Sequence, residues 1–169
     1  AYHEDGMYIA NGSVTGIGVG ASVGAAVGII KEESEVEARV EKSNIISNTA
    51  AAVANVQAEN KSHVGSVLVS TAGGGIGAAV CSTVAVNNQK QQVKAQVIDS
   101  RLDAKDVHVQ AKNRVENDMT GGSIGGALVG VGASVAVSTF DDTVITDVRN
   151  SKINAKGNIT IAALQERDV

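Results

Sequence analysis

Apolar and polar positions alternate with a period of two in a short segment of this chain, and the segment occurs three times. Val36, Ala38 and Val40 share one parity, with Glu37 and Arg39 between them. Val93, Ala95 and Val97 repeat the arrangement around Lys94 and Gln96, and Val144, Thr146 and Val148 repeat it around Ile145 and Asp147. Successive side chains on a strand point to opposite sides, so each segment predicts a strand with one face toward a core and a mostly polar face toward water. A glycine-rich apolar run precedes each segment, at 16–30, 73–86 and 122–137. In these runs both parities are uncharged but differ in size. Val129, Val131, Ala133, Val135 and Val137 form one face, and Gly130, Gly132, Ser134 and Ala136 the other. A face of small residues predicts close approach by another layer of backbone.

The three copies align residue by residue. Positions 38–45 recur at 95–102 and 146–153, steps of 57 and 51 residues. Upstream, Val23, Val27 and Ile29 fall on Val80, Val84 and Val86, then on Val131, Val135 and Val137. Downstream, Val56-Gln57-Ala58 falls on Val109-Gln110-Ala111 and then on Ile161-Ala162-Ala163. Self-similarity at a fixed period marks a repeat architecture, in which each unit buries its apolar face against its neighbours. The units are 1–58, 59–111 and 112–163, read as one solenoid over 1–169. Each opens on a polar lead, such as 59–63 or 112–118. A short polar turn is expected between the glycine-rich run and the alternating segment, at 31–34, 87–92 and 138–143.

These patterns predict an all-β, right-handed parallel β-helix, with Val over Val and Ser over Ser about 4.8 Å apart. A unit of 51–57 residues exceeds one ordinary rung, so two or three rungs per unit are expected. In the first unit, residues 47–54 are extra and predict a bulge or loop. A helical alternative comes from Gly16, Gly20, Gly24 and Gly28, spaced like small residues of packed membrane helices, within uncharged stretches 13–30, 64–88 and 119–140. Few Leu or Phe occur there, each Gly costs a helix roughly 1 kcal/mol against Ala, and the strand-like segments repeat in step with these runs. The strand reading stands.

Composition narrows the class. The 169 residues are 43% hydrophobic yet 2% aromatic, without Pro or Trp and with 19 Gly, which suits thin identical layers better than a large globular core. The net charge of −4 is mild and unclustered, so the basic stripe of a nucleic-acid binder is missing. One cysteine, Cys81, forms no internal disulfide and leaves the redox compartment open. The chain begins and ends inside its own repeat, which reads as a piece of a longer repetitive protein.

A catalytic site would need carboxylates, or a carboxylate with Arg or Lys, converging on one groove. Aligned copies place Gln96 and Asp147 at the position of Arg39, Lys94 and Ile145 at that of Glu37, and Asp99 and Asn150 at that of Lys42, so no acidic column forms. Asp141-Asp142 and Asp103 with Asp106 read as solvated turn residues. His3, His63 and His108 stand apart from other ligands, with the latter two expected on the surface. Gly73-Gly74-Gly75-Ile76-Gly77 lacks the Asp of calcium-binding nonapeptides, and Gly16-Ile17-Gly18-Val19-Gly20 lacks the strand–helix context of a dinucleotide loop. Cys81 shares a small-residue column with Gly24 and Gly132 and is expected to be buried. No enzyme, catalytic residue, metal or cofactor is therefore expected; the binding residues are left unknown.

The segment 147–163, with its short strand, Asn/Gly turn and second strand ending in Ala, resembles a rung of filamentous-haemagglutinin-type adhesins. The lead Gly130-Val131-Gly132-Ala133-Ser134-Val135-Ala136-Val137 resembles repeats of leukotoxin-family filamentous adhesins of Gram-negative bacteria. The resemblance implies secretion through an outer-membrane transporter, by a two-partner or autotransporter route, and residence on the cell surface. It implies a stalk or adhesive segment whose parent contacts a host-cell or bacterial receptor or glycan, with no nucleic acid among its partners. No binding residue carries over, because the shared motif is structural. A carbohydrate-active β-helix module and a glycine-zipper membrane-associated protein are the alternatives.

Overall fold

Repetition in the sequence becomes repetition in hydrogen bonding. The computed structural model describes residues 1–15, 19–47, 49, 51–73 and 75–169. Its strands are β1 (Tyr2–Thr15), β2 (Ser22–Glu41), β3 (Asn44–Ile46), β4 (Val53–Gly73), β5 (Ala78–Ile98), β6 (Arg101–Ala104), β7 (Asp106–Gly126), β8 (Val129–Arg149), β9 (Lys152–Ala155) and β10 (Ile159–Asp168). They form three parallel sheets: sheet A in the order β1-β4-β7-β10, sheet B β2-β5-β8, and sheet C β3-β6-β9. This is a parallel β-helix. The register is the one read from the repeats, with Ala38 beside Ala95 beside Thr146 and Val56 beside Val109 beside Ile161.

The number of rungs differs from expectation. Each unit is one coil, not two or three, because its strands in sheets A and B run up to 21 residues, far beyond the usual five or six. The polar turns expected at 31–34, 87–92 and 138–143 are likewise absent: β2, β5 and β8 pass straight through them. The polar leads at 59–63 and 112–118 are strand as well, within β4 and β7. The physical reason is that these polar segments face inward on alternate residues, where they bond to one another, some between successive coils of one sheet and some across the interior between sheets. Asn60 Nδ2 donates to Asn113 Oδ1 at 2.9 Å, and Asn113 Nδ2 donates to Gln165 Oε1 at 3.2 Å. Asn87 donates to Asn117 at 2.7 Å, while the Glu32 carboxylate accepts from Ser62 at 2.7 Å and from Gln91 at 3.2 Å. A buried polar side chain is tolerated when it is bonded, and Asn60, Asn87, Gln91, Asn113 and Asn117 each make at least one such bond.

The coil interior therefore has three zones. Next to sheet C lies an aliphatic core of Val56, Ala58, Val93, Val97, Leu102, Val107 and Val109. The amide band follows. Beyond it Ile30 and Leu68 are buried, Leu68 against Gly28, and sheets A and B then converge on small residues, as the sequence predicts: a Cβ at Gly24 would lie 2.9 Å from the Thr71 carbonyl oxygen, and one at Gly132 would lie 2.8 Å from that of Ser123. Cys81 is buried between them, its thiol 3.7 Å from the Val131 carbonyl oxygen. At this thin end the valines point outward, so the solenoid is not aliphatic-filled along its whole width. Some interior groups have no partner: the Ser66 and Ser70 hydroxyls are unbonded, and the Gln89 amide is 2% exposed with neither atom hydrogen-bonded. Gln89→Met is expected to raise stability by about 1 kcal/mol, read as a higher urea midpoint, because it removes an unpaired buried amide.

Corners between sheets B and C repeat closely. Lys42, Asp99 and Asn150 all adopt left-handed backbone, with φ of 48°, 49° and 50°. The serine after each builds a ladder: Ser100 Oγ accepts from the Ser43 N–H at 3.1 Å, and Ser151 Oγ accepts from the Ser100 N–H at 3.0 Å. A left-handed L-residue is disfavoured by roughly 1 kcal/mol, so Lys42→Gly is expected to raise the urea midpoint while Lys42→Ala does not. The inserted segment at 47–54 lengthens the first corner as expected, since β3 ends at Ile46 and β4 starts at Val53, whereas only Lys105 separates β6 from β7. Its Asn48 and Ala50 lie outside the described residues, as do Gly16, Ile17, Gly18 and Gly74 of the two glycine motifs. None of the uncharged stretches forms a helix among the described residues, and no helix there is long and apolar enough to cross a membrane.

Candidate functional site

Parity decides what each coil shows to solvent, and the outer face of β1, β4 and β7 gathers most of the chemistry. Tyr2, Glu4, Gly6 and Tyr8 point outward from β1. Beneath them in register lie Glu59, Lys61, His63 and Gly65, then Lys112, Arg114, Glu116 and Asp118. The result is a charged shelf with a depression of about 240 Å³, lined by Glu4, Lys61, His63, Arg114 and Glu116 among others. Arg114 Nη2 lies 2.7 Å from Glu116 Oε1, and His63 Nδ1 lies 3.3 Å from Glu116 Oε2. The two tyrosines stand at its ends, 55% and 66% exposed, six residues and therefore about 20 Å apart along one strand.

Local packing fixes both rings. Lys61 Nζ sits 5.4 Å from the centre of the Tyr2 ring, a cation–π distance. The Tyr2 hydroxyl donates to Glu4, and this bond holds the phenol above its ordinary pKa. Its counterpart is the Lys61 ammonium, which hydrogen bonding and charge attraction to Tyr2 hold above the usual lysine value. Tyr8 lies over Gly65, where a Cβ would come within 2.7 Å of its ring, so the aromatic shields bare backbone on the next strand. Chemically, the shelf offers two aromatic platforms, cationic and anionic hydrogen-bonding groups between them, and open solvent access. It can bind an extended polar ligand.

The acidic pairs weighed in the sequence are split or committed elsewhere. Asp142 is not a solvated turn residue: its side chain is 3% exposed and points inward, where it accepts from Arg167 at 2.8 Å and Gln165 at 3.1 Å. Asp141 lies on the opposite face of the same strand, so the two carboxylates cannot act together. Asp103 pairs with Arg101 at 2.5 Å and Asp106 accepts the Asn158 N–H at 2.7 Å, both within the sheet C corner. Of the histidines, His63 is on the shelf, His108 is half-buried on the outer face of β7, and His3 is exposed on β1. No group of three His, Cys, Asp or Glu able to hold a metal ion occurs among the described residues.

Outer-face ion pairs tune two carboxyls. Lys90, 2.7 Å away, holds Glu33 below the ordinary carboxylate range, and Arg101 with Asn154 does the same for Asp103. Depressed carboxylate values stabilise the fold above the unfolded pKa and lose that contribution as pH falls through the folded one. Glu33 is exposed, so its share of the effect is small, whereas Asp103 is half-buried. Lys90→Ala is expected to lower the urea midpoint slightly at pH 7 and to leave it unchanged well below pH 4, where Glu33 is protonated, so that its decline with acid is flatter.

The shelf itself was missed in the sequence. Its signal was available: both tyrosines of a chain with three aromatics share one parity, beside an aligned Lys61 and Arg114. The chain matches no protein-family model, and neither curated proteins nor solved structures supply a match.

Proposed function

We propose that this chain is an adhesive or stalk segment of a secreted bacterial surface filament, carried outside the cell through an outer-membrane transporter and contacting a receptor or glycan on host or bacterial cells. The resemblance of its repeats to filamentous adhesins supports the secretion route and the surface location. Within that reading, one observation favours display over reach. A coil uses 51–57 residues to advance about 4.8 Å, while its 21-residue strands span about 70 Å across the axis. A spacer built this way gains little length per residue, whereas a display surface gains a wide flat face. The tyrosine-ended shelf is the part of that face with binding chemistry.

The test is saturable binding of the purified chain to epithelial and bacterial cells and to a glycan array. Binding weakened at least tenfold in Tyr2→Ser/Tyr8→Ser, with an unchanged strand spectrum, is the expected result, because two stacking platforms are removed. A chain that binds nothing is a spacer and ends the adhesive reading. Release of reducing sugars from a polysaccharide panel would replace it with a carbohydrate-active enzyme.

A further inference from the structure

Charge on the shelf of sheet A is arranged in opposites. Each of its bases has an acid one strand away: Lys61 lies beside Glu4, Lys112 beside Glu59 and Arg114 beside Glu166. Arg114 also bonds Glu116 along its own strand at 2.7 Å, and Lys112 reaches Glu166 at 3.7 Å. Donors and acceptors therefore interleave across the face. A polyanion meets the acids of these pairs and a polycation the bases, so either gains attraction and repulsion together. Hydroxyl groups suit such a surface. Each donates and accepts at once, so it can bond a carboxylate and an ammonium or guanidinium side by side.

The two rings set the length and shape of what fits. The Lys61 ammonium lies over the Tyr2 ring and Tyr8 lies over Gly65, yet the two tyrosines stay 55% and 66% exposed. A pyranose carries an apolar face of C–H groups that stacks on an exposed ring of this kind. At about 5 Å per sugar, the ~20 Å between the rings separates the first unit of a chain from the fifth. The depression of about 240 Å³ between them has room for one sugar residue.

We propose that the shelf binds a neutral, unbranched oligosaccharide of at least five units, laid along β1 with its ends stacked on Tyr2 and Tyr8. Its middle hydroxyls bond to Glu4, Lys61, His63 and Glu116. The assignment rests on the adhesive reading above and narrows its ligand to an uncharged glycan.

Calorimetric titration of the whole chain tests this. The probes are neutral oligomers of glucose, mannose and N-acetylglucosamine, two to six units long, with oligogalacturonate and oligolysine as charged counterparts. In at least one neutral series five units are expected to bind about tenfold more tightly than three, with no further gain at six. Raising salt from about 50 to about 500 mM should change that affinity less than about twofold, because no net charge is neutralised. Tyr2→Ser and Tyr8→Ser, each with an unchanged strand spectrum, should reduce five units to the affinity of three. Val135→Ser, on the outer face of sheet B, should leave the titration as it is. No binding of any neutral series, binding without the step at five units, or tighter binding of either charged oligomer overturns the proposal. So does a step that survives both tyrosine variants. The adhesive reading fails on a different result, the absence of saturable binding to cells. A chain that binds cells but no neutral oligomer keeps that reading and loses this one.

Discussion

Leu102→Ala lowers the unfolding free energy by about 3 kcal/mol, seen as a reduced urea midpoint with little change in slope. Leu102 is fully buried on β6, at the corner where sheet C closes the aliphatic zone, and it stacks between Ile45 and Ile153. Its neighbours are held by long ladders in sheets A and B and cannot collapse inward, so the methyl groups removed leave most of a cavity. Leu102→Ile keeps the volume and should cost less than half as much. A loss below 1 kcal/mol for the alanine variant would mean that the corner relaxes and contributes little to the core.

Asn113→Ala is the second large effect, also about 3 kcal/mol. Asn113 is fully buried in the amide ladder, accepting from Asn60 and donating to Gln165. Removing it takes away the acceptor of the Asn60 amide in a dry interior and leaves a void. The comparison that isolates the mechanism is Asn60→Leu/Asn113→Leu, which removes donor and acceptor together. That double variant should recover at least half of the loss, since an apolar pair replaces a polar pair without leaving an orphan. If it is as unstable as Asn113→Ala, the ladder contributes through shape rather than through its hydrogen bonds.

The same two residues show how much of the fold was legible. Leu102 sits in an alternating segment whose copies match position by position, and identical side chains stacked in columns gave the register directly. The small-residue face was equally readable: only glycine and its neighbours in size fit where Gly24 faces the Thr71 carbonyl and Gly132 that of Ser123. Asn113 belongs to segments that read as polar leads and turns, because both parities are polar there and alternation carries no contrast. Nothing local distinguishes an Asn that bonds to the next coil from one that bonds to water. The candidate site was hidden for a related reason. Tyr2 and Tyr8 share a parity, but Lys61 and Arg114 join them only when strands more than 50 residues apart are laid side by side.

By itself, then, the sequence determined the repeat, the strand parity, the stacking of like on like and the thin glycine end. These follow from a side-chain period of two and from the volume of each residue. Only the tertiary structure decided that one unit makes one coil, that its polar middle is core, and that the valines of the glycine-rich runs face solvent. Those outcomes depend on which groups meet inside the coil, and a polar residue becomes an inside residue only when its bonding partner arrives from the next coil or from the facing sheet.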